Sequence, residues 1–279
     1  MKMKNELGPI GIFDSGYGGL TVFKEIQQRL PGYDYIYLGD NARTPYGTRS
    51  LEKVYQFTLQ GVQYLFNQGC HLVILACNTA SANALRSIQQ KDLPRIAPDK
   101  RVLGVIRPTT EYLSQLTKTG HIGLCATEAT VNSQSYLIEA KKYAPEVELH
   151  QQACPLWVPL VENNEGDGEA AHSLSEKYMK ALMAQHDAID TVLLACTHYP
   201  LMMDTIQAHV PDHIQVISQG KIVADSLADY LERHPQMDAK CSKTESRRFL
   251  TTDSTKSFDL KASQFYGSDV ISEWVELEE

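Results

Sequence analysis

Twice in this chain a short apolar run ends in Ala-Cys followed by two polar residues, and this repeat constrains the fold more than any other feature. The first is LVILACNTAS, with Cys77, Asn78 and Thr79; the second is TVLLACTHYP, with Cys196, Thr197 and His198. Unbroken apolar runs bounded by polar residues suit strands buried on both faces, as in parallel sheets covered by helices on each side. Ligands of such sheets bind just beyond the carboxyl ends of the strands. Two thiols are therefore expected where chemistry usually happens, in two similar settings.

The rest of the chain alternates in the same way. PIGIF (9–13) reads as a strand running into DSGYGG and then a helix over LTVFKEIQQRL. DYIYL (34–38) is a second strand ending at GDNARTPYG, and residues 50–68 form a helix with Leu51, Val54, Phe57, Val62 and Leu65 on one face. Strand 72–76 follows, then a helix from Ala80 to Gln90. Gly and Pro punctuate the gaps. The pattern then restarts, with KRVLGVI (100–106) as strand or linker and HIGLCAT (121–127) as a strand. A helix over 131–143, strand VELHQQAC (147–154), the acidic loop ENNEGDGE (162–169), a helix over 170–185 and strand TVLLAC complete this half. Alternating strands and helices predict an α/β fold with parallel sheets, here as two facing lobes. IQVISQG (214–220), a helix over 221–233 and RRFLTT (247–252) carry no third cysteine unit and are expected to complete the first sheet. The division is then 1–104 plus 213–279 for the first lobe and 105–212 for the second.

Composition excludes several function classes. The formal charge of −8, with no Lys/Arg cluster denser than Lys141-Lys142 or Arg247-Arg248, is not that of a nucleic-acid binder. No apolar run approaches the roughly 20 residues that span a bilayer, and no apolar stretch precedes Gly11 to serve as a signal peptide. A cytoplasmic protein is expected, with its six cysteines reduced. No C-x-x-C pair occurs and no His stands at zinc-ligand spacing from two cysteines, so no metal is expected.

Each motif has a plain structural reading beside the functional one. A cysteine closing an apolar strand is, by itself, usually a small buried hydrophobe. Cys77 and Cys196 together, each followed by hydroxyl, amide or imidazole groups, read instead as paired acid/base thiols. A free thiol has a pKa of about 8.5, which polar partners can bring toward neutrality. Cys70, Cys125, Cys154 and Cys241 lack such partners and are assigned to the core. DSGYGG (14–19) points backbone amides at a ligand, but it is neither a dinucleotide loop, since Thr21 stands at the third glycine position, nor a Walker A loop. Asp14 at its mouth suits an ammonium group or a proton partner better than a phosphate; otherwise it caps a turn. Pro45-Tyr46-Gly47 makes a rigid turn whose amides suit a carboxylate. His198, two residues from Cys196, can titrate near neutral pH and tune the thiol. In TEATVNS (127–133), helix capping through Thr130 is the default, and Glu162 is solvated unless it faces the site.

The strings DSGYGGLTV, GDNARTPYG, ILACNTASA, ATEATVNS, CPLWVPLVE and LLACTHYPL, in this order and spacing, resemble bacterial glutamate racemases over residues 9–233. These are cofactor-independent isomerases that supply D-glutamate for peptidoglycan, in cell wall biogenesis and control of cell shape. The resemblance implies two pseudo-symmetric flavodoxin-like lobes with the active site between them. Cys77 and Cys196 would be acid/bases on opposite faces of the α-carbon, Cys77 acting on D-glutamate and Cys196 on L-glutamate. Asp14 would be the polar partner on the Cys77 side and His198 that on the Cys196 side. Asp14, Ser15, Tyr46, Gly47, Asn78, Thr79, Thr197 and His198 resemble the family's substrate-binding residues, and Thr127, Thr130 and Glu162 match lesser positions. No cofactor is implied, and the chain offers no phosphate loop paired with a Schiff-base lysine. The expected partners are glutamate and a second copy of the chain in a homodimer, with neither nucleic acid nor membrane. Two positions depart from the family pattern: Tyr17 in DSGxGG, and Arg107 in GVIRPTT. The segment 234–279 matches nothing specific. The competing readings are an aspartate racemase, a one-cysteine decarboxylase or isomerase, and a non-catalytic amino-acid-binding protein. The second cysteine argues against the one-cysteine enzyme.

Overall fold

Two parallel sheets, built from ten strands among the described residues, organise the chain; the structure is a computed structural model and describes residues 7–278. The first sheet contains β1 (Ile10–Asp14), β2 (Tyr35–Gly39), β3 (Leu72–Leu75) and β4 (Arg101–Gly104). The second contains β5 (His121–Ala126), β6 (Glu148–Ala153), β7 (Thr191–Ala195) and β8 (Gln215–Ser218). The chain then returns to the first sheet with β9 (Arg247–Thr251) and β10 (Ser272–Trp274). The strand orders are β10-β9-β2-β1-β3-β4 and β6-β5-β7-β8. Each sheet thus holds the same 2-1-3-4 core of a flavodoxin-like doubly wound fold. The apolar runs behave as expected: β1, β3 and β7 are buried along their whole length.

Helices cover the sheet faces. Helix Leu51–Asn67 starts at Ser50, whose Oγ accepts from the Lys53 N–H at 3.3 Å, and buries Val54, Val62 and Leu65. Leu51, expected on that face, is exposed because it lies in the first turn. Gly61 of this helix must be glycine, since a Cβ there would come within 2.2 Å of the Phe13 ring. One apolar cluster runs through both lobes, from Ile10 and Phe23 to Trp157, Cys196 and Tyr199.

Three expectations about elements need correction. Strand β8 lies in residues assigned to the first lobe, yet it pairs with β7 in register Thr191↔Gln215. The connection from β7 through helix Met203–Gln207 is short, and the Gln207 side chain ties down Ile214 and Val216, so the crossover reaches only the adjacent strand. The return to the first lobe comes at Gln219, after which helix Gly220–Arg233 packs on helix Gly19–Arg29. The helix expected over 80–90 is broken into Asn78–Asn83, Leu85–Ser87 and a π-helical turn at Ile88–Asp92. That expected over 131–143 is two helices, Glu128–Asn132 and Ser135–Tyr143, split by Gln134 at φ 57°.

Candidate active site

In a 2-1-3-4 sheet the connections run in opposite directions from the first strand, opening a crevice between the first and third strands at their carboxyl ends. Asp14 ends β1 and Cys77 lies just past β3. Thr127 lies just past β5 and Cys196 just past β7. The two lobes thus contribute equivalent positions to one crevice.

The Cys77 side is built from the Gly-rich loop. Cys77 is the N-cap of helix Asn78–Asn83; its Sγ accepts from the Ala80 N–H at 3.4 Å and, as a thiol, donates to Ser15 Oγ at 3.5 Å. Burial pushes the thiol up to about 12, the Asp14 carboxylate adds to this, and the Ser15 and Ala80 bonds oppose it. Asp14 is buried; its Oδ2 accepts from the Gly16 N–H at 2.9 Å, while Oδ1 makes no hydrogen bond among the described residues. Burial raises its carboxyl above the usual range, opposed chiefly by the positive charge of His198. Asp14 therefore acts electrostatically on both halves of the site, not on the Cys77 half alone.

On the Cys196 side, His198 Nε2 lies 3.0 Å from Glu162 Oε1, and Cys196 is near enough to its ring to raise its pKa. Burial alone would lower the imidazole, but the Cys196 and Glu162 bonds and charges raise it to about 10. Glu162 is thus not simply solvated; it closes helix Trp157–Glu162 and holds His198. The thiols are 5% and 6% exposed, so the site is shielded from bulk water.

The lobes meet directly at this point. Thr21 Oγ1 donates to the Thr197 carbonyl at 2.9 Å, and Thr79 and Thr127 share a 3.0 Å hydroxyl contact. Thr127, not Thr130, caps helix Glu128–Asn132: its Oγ1 accepts from the Thr130 N–H at 3.3 Å, and its hydroxyl donates to Thr130 Oγ1 at 3.0 Å. The reason is register, since the cap must lie outside the first turn. Gly47 approaches Thr127 so closely that a Cβ would lie 3.2 Å from the Thr127 Cβ. The Tyr46 hydroxyl donates to Asp40 Oδ2, while Arg43 Nε bonds the same carboxylate at 2.7 Å.

Several contributors carried no sequence signal. Gln219 receives the Asn78 amide at 2.7 Å and donates to Thr109 Oγ1 at 3.0 Å and to the Tyr136 hydroxyl. Tyr136 in turn donates to Asn78 Oδ1 at 2.6 Å. Asn78 is thereby fixed by two residues from other parts of the chain, Gln219 and Tyr136. The C-terminal helix Thr255–Tyr266 covers the loop: Phe258 and Phe265 stack on Tyr17 at 5.5 and 6.0 Å, and Phe265 meets the His198 ring edge-on at 5.3 Å. Tyr17 is thus the docking point for this helix. Arg107 sits in helix Ile106–Leu116, bonded to Glu111 at 2.8 Å and exposed.

With this geometry described, comparison with known proteins is specific. A family profile described as Asp/Glu/Hydantoin racemase matches residues 10–227. Glutamate racemase of Roseobacter denitrificans is 43% identical, the match covering 92% of this chain and 96% of the relative. A glutamate racemase isoform of Bacillus anthracis superposes with a TM-score of 0.87 at 32% identity, covering 97% of this chain and 98% of that one. Francisella tularensis glutamate racemase in complex with D-glutamate gives 0.83 at 31% identity, covering 98% and 97%.

Proposed function

The chain belongs to the Asp/Glu/hydantoin racemase family and has the glutamate racemase activity of the relatives it matches end to end; we propose that Cys77 and Cys196 carry this activity as a two-base pair. One observation supports the mechanism above all. The two thiols occupy equivalent positions of the two lobes, at the carboxyl ends of β3 and β7, close enough for the charge of one to act on the other.

Racemisation needs a proton removed from one face of the α-carbon and another delivered to the opposite face. Two groups flanking the carbon do this without either changing sides. From L-glutamate, Cys196 takes the proton as thiolate and Cys77 delivers one as thiol; from D-glutamate the roles reverse. Burial and the Asp14 charge keep Cys77 protonated before substrate enters. On the other side His198, held by Glu162, stands beside Cys196 with its own pKa raised. Proton transfer by positioned groups supplies about 10²–10⁴-fold, against the at least 10⁶-fold typical of enzymes. The balance falls to stabilisation of the carbanionic state by Ser15, Asn78, Thr79 and Thr197 with nearby amides in a water-poor crevice. Tyr46 and Gly47, with Thr127 and Thr130, shape the end of the crevice where the lobes touch. The reading extends to a cytoplasmic homodimer supplying D-glutamate for peptidoglycan. It fits the finding that no helix among the described residues is long and apolar enough to cross a membrane.

The test is polarimetry with each enantiomer, alongside α-hydrogen exchange in heavy water. Cys77→Ala and Cys196→Ala are each expected to lose racemisation, with any residual exchange confined to one enantiomer. Near wild-type turnover by either variant would overturn the two-base reading. Binding of glutamate by the wild type with no change in optical rotation would overturn the enzymatic one.

A further inference from the structure

At the opposite end of the second sheet from Cys196, a cluster of imidazoles has no part in the reaction. His121 opens β5, and Glu148 opens β6 as its register partner. His150 follows two residues later on the same face as Glu148. His121 Nδ1 and His150 Nε2 face each other at 3.1 Å, and the Glu148 carboxylate lies 3.8 Å from the former and 4.0 Å from the latter. His186, after helix Glu169–Met183, lies flat on His121 with ring centroids 3.8 Å apart and planes 10° apart. Ligand atoms of the three histidines all fall within 4.8 Å of one another.

We propose that His121 Nδ1, His150 Nε2 and the Glu148 carboxylate form a binding site for a divalent transition metal of the zinc class, with His186 as its fourth, closing ligand. Two nitrogens bound to one ion at about 2.0–2.1 Å stand roughly 3.3 Å apart in tetrahedral geometry, close to the observed spacing. The carboxylate, whose two oxygens lie 3.8 and 4.0 Å from these nitrogens, must move in to join them. Without an ion, one of the two facing nitrogens must carry a hydrogen toward the other; with an ion, both lone pairs point at it. Burial and the neighbouring His186 and His121 hold the His150 pKa below its ordinary value, against the pull of Glu148, which keeps a ligand unprotonated. Mixed imidazole and carboxylate donors suit zinc, nickel, cobalt or copper rather than calcium or magnesium. His186 cannot ligate as it stands. An ion in the plane of His121 lies outside the plane of a ring stacked on it, and His186 Nδ1 accepts from the Ala188 N–H at 3.1 Å. It must turn off His121 to close the site. Spacing rules that look for near neighbours miss this set, because its members come from three separate elements.

The site is about 16 Å of strand from the crevice, at 3.3 Å per residue along β5. The experiment is titration of the full chain with cobalt(II), read by absorption and by calorimetry. The expected result is one equivalent bound with ligand-field bands of nitrogen and oxygen donors and no thiolate-to-metal charge-transfer band. His121→Gln and His150→Gln should each weaken binding at least about tenfold. His186→Ala, on the surface side, should weaken it less, and all three should retain racemase turnover in chelator-treated protein. Unchanged affinity in the His121→Gln and His150→Gln variants, a thiolate band, or no binding at micromolar cobalt would each overturn the proposal. His186→Ala keeps the test decisive if either strand variant fails to fold.

Discussion

Gly18 is the position where the active site is most sensitive to a single methyl group. A Cβ there would lie 2.3 Å from Thr197 Oγ1 and 2.4 Å from His198 Nδ1, across the seam between the lobes. Ordinary contact begins at 3.4 Å, so Gly18→Ala demands a shift of about 1 Å. Neither neighbour can yield cheaply. His198 is held by Glu162 at 3.0 Å and faces Phe265, and Thr197 is buried and bonded by Thr21. Either the lobes part or the imidazole leaves Cys196. Overpacking of this size costs about 1–3 kcal/mol, a few degrees or more in melting temperature for a chain of this length. A misplacement of about 1 Å costs catalysis about 100-fold. The assay is racemisation from both enantiomers by circular dichroism, with a thermal melt. The two enantiomers have equal free energy in water, so kcat/KM must fall by one common factor in the two directions at every pH. Only kcat and KM separately can reveal the asymmetry of the two thiols. Gly32→Ala is the control, with nothing within 4 Å of its added Cβ, and should change neither activity nor melting. Turnover of Gly18→Ala within about threefold of wild type would refute the claim that the lobe seam positions His198.

Other expectations follow from the same geometry. Asp14 raises the Cys77 thiol, so Asp14→Asn should bring its pKa down from about 12; the rate of Cys77 alkylation against pH, read by mass spectrometry, should shift to lower pH. His198 is raised from 6.5 to about 10, so its charged interactions stabilise the fold fully below pH 6.5 and are lost as pH rises through 10. Glu162→Gln removes one source of that shift, and urea midpoints at pH 7 and pH 10 should differ less in the variant than in the wild type. Gln219→Leu strands the Asn78 amide N–H in a buried setting, at about 1–3 kcal/mol, while Thr109 keeps its bond to the Val105 carbonyl; urea denaturation should show the loss, with KM for glutamate raised.

Much of this was legible in the chain. Parallel strands, the Gly-rich turn and both cysteines lie in local patterns, and each local pattern sits where strand period and turn chemistry place it. Less legible was which sheet a strand joins. β8 reads like β9 in sequence, and the short tie through Gln207 determines its neighbour. Capping was assigned one helical turn late, to Thr130 instead of Thr127, because both are hydroxyl residues and only the position of the first turn separates them. Glu162 looked solvated because its loop is acidic, yet the helix before it ends under His198.

The sequence by itself determined that two thiols would stand at the ends of two buried parallel strands, because burial and strand period act over a few residues. Only the tertiary structure decided what each thiol feels. Burial and Asp14 make Cys77 a guarded thiol against the pull of Ser15, while His198 and Glu162 put a held cation beside Cys196. These partners come from other elements and from both lobes, as do Gln219 behind Asn78 and the C-terminal helix over Tyr17. Electrostatics depends on distance in space and on excluded water, and neither is encoded in spacing along the chain.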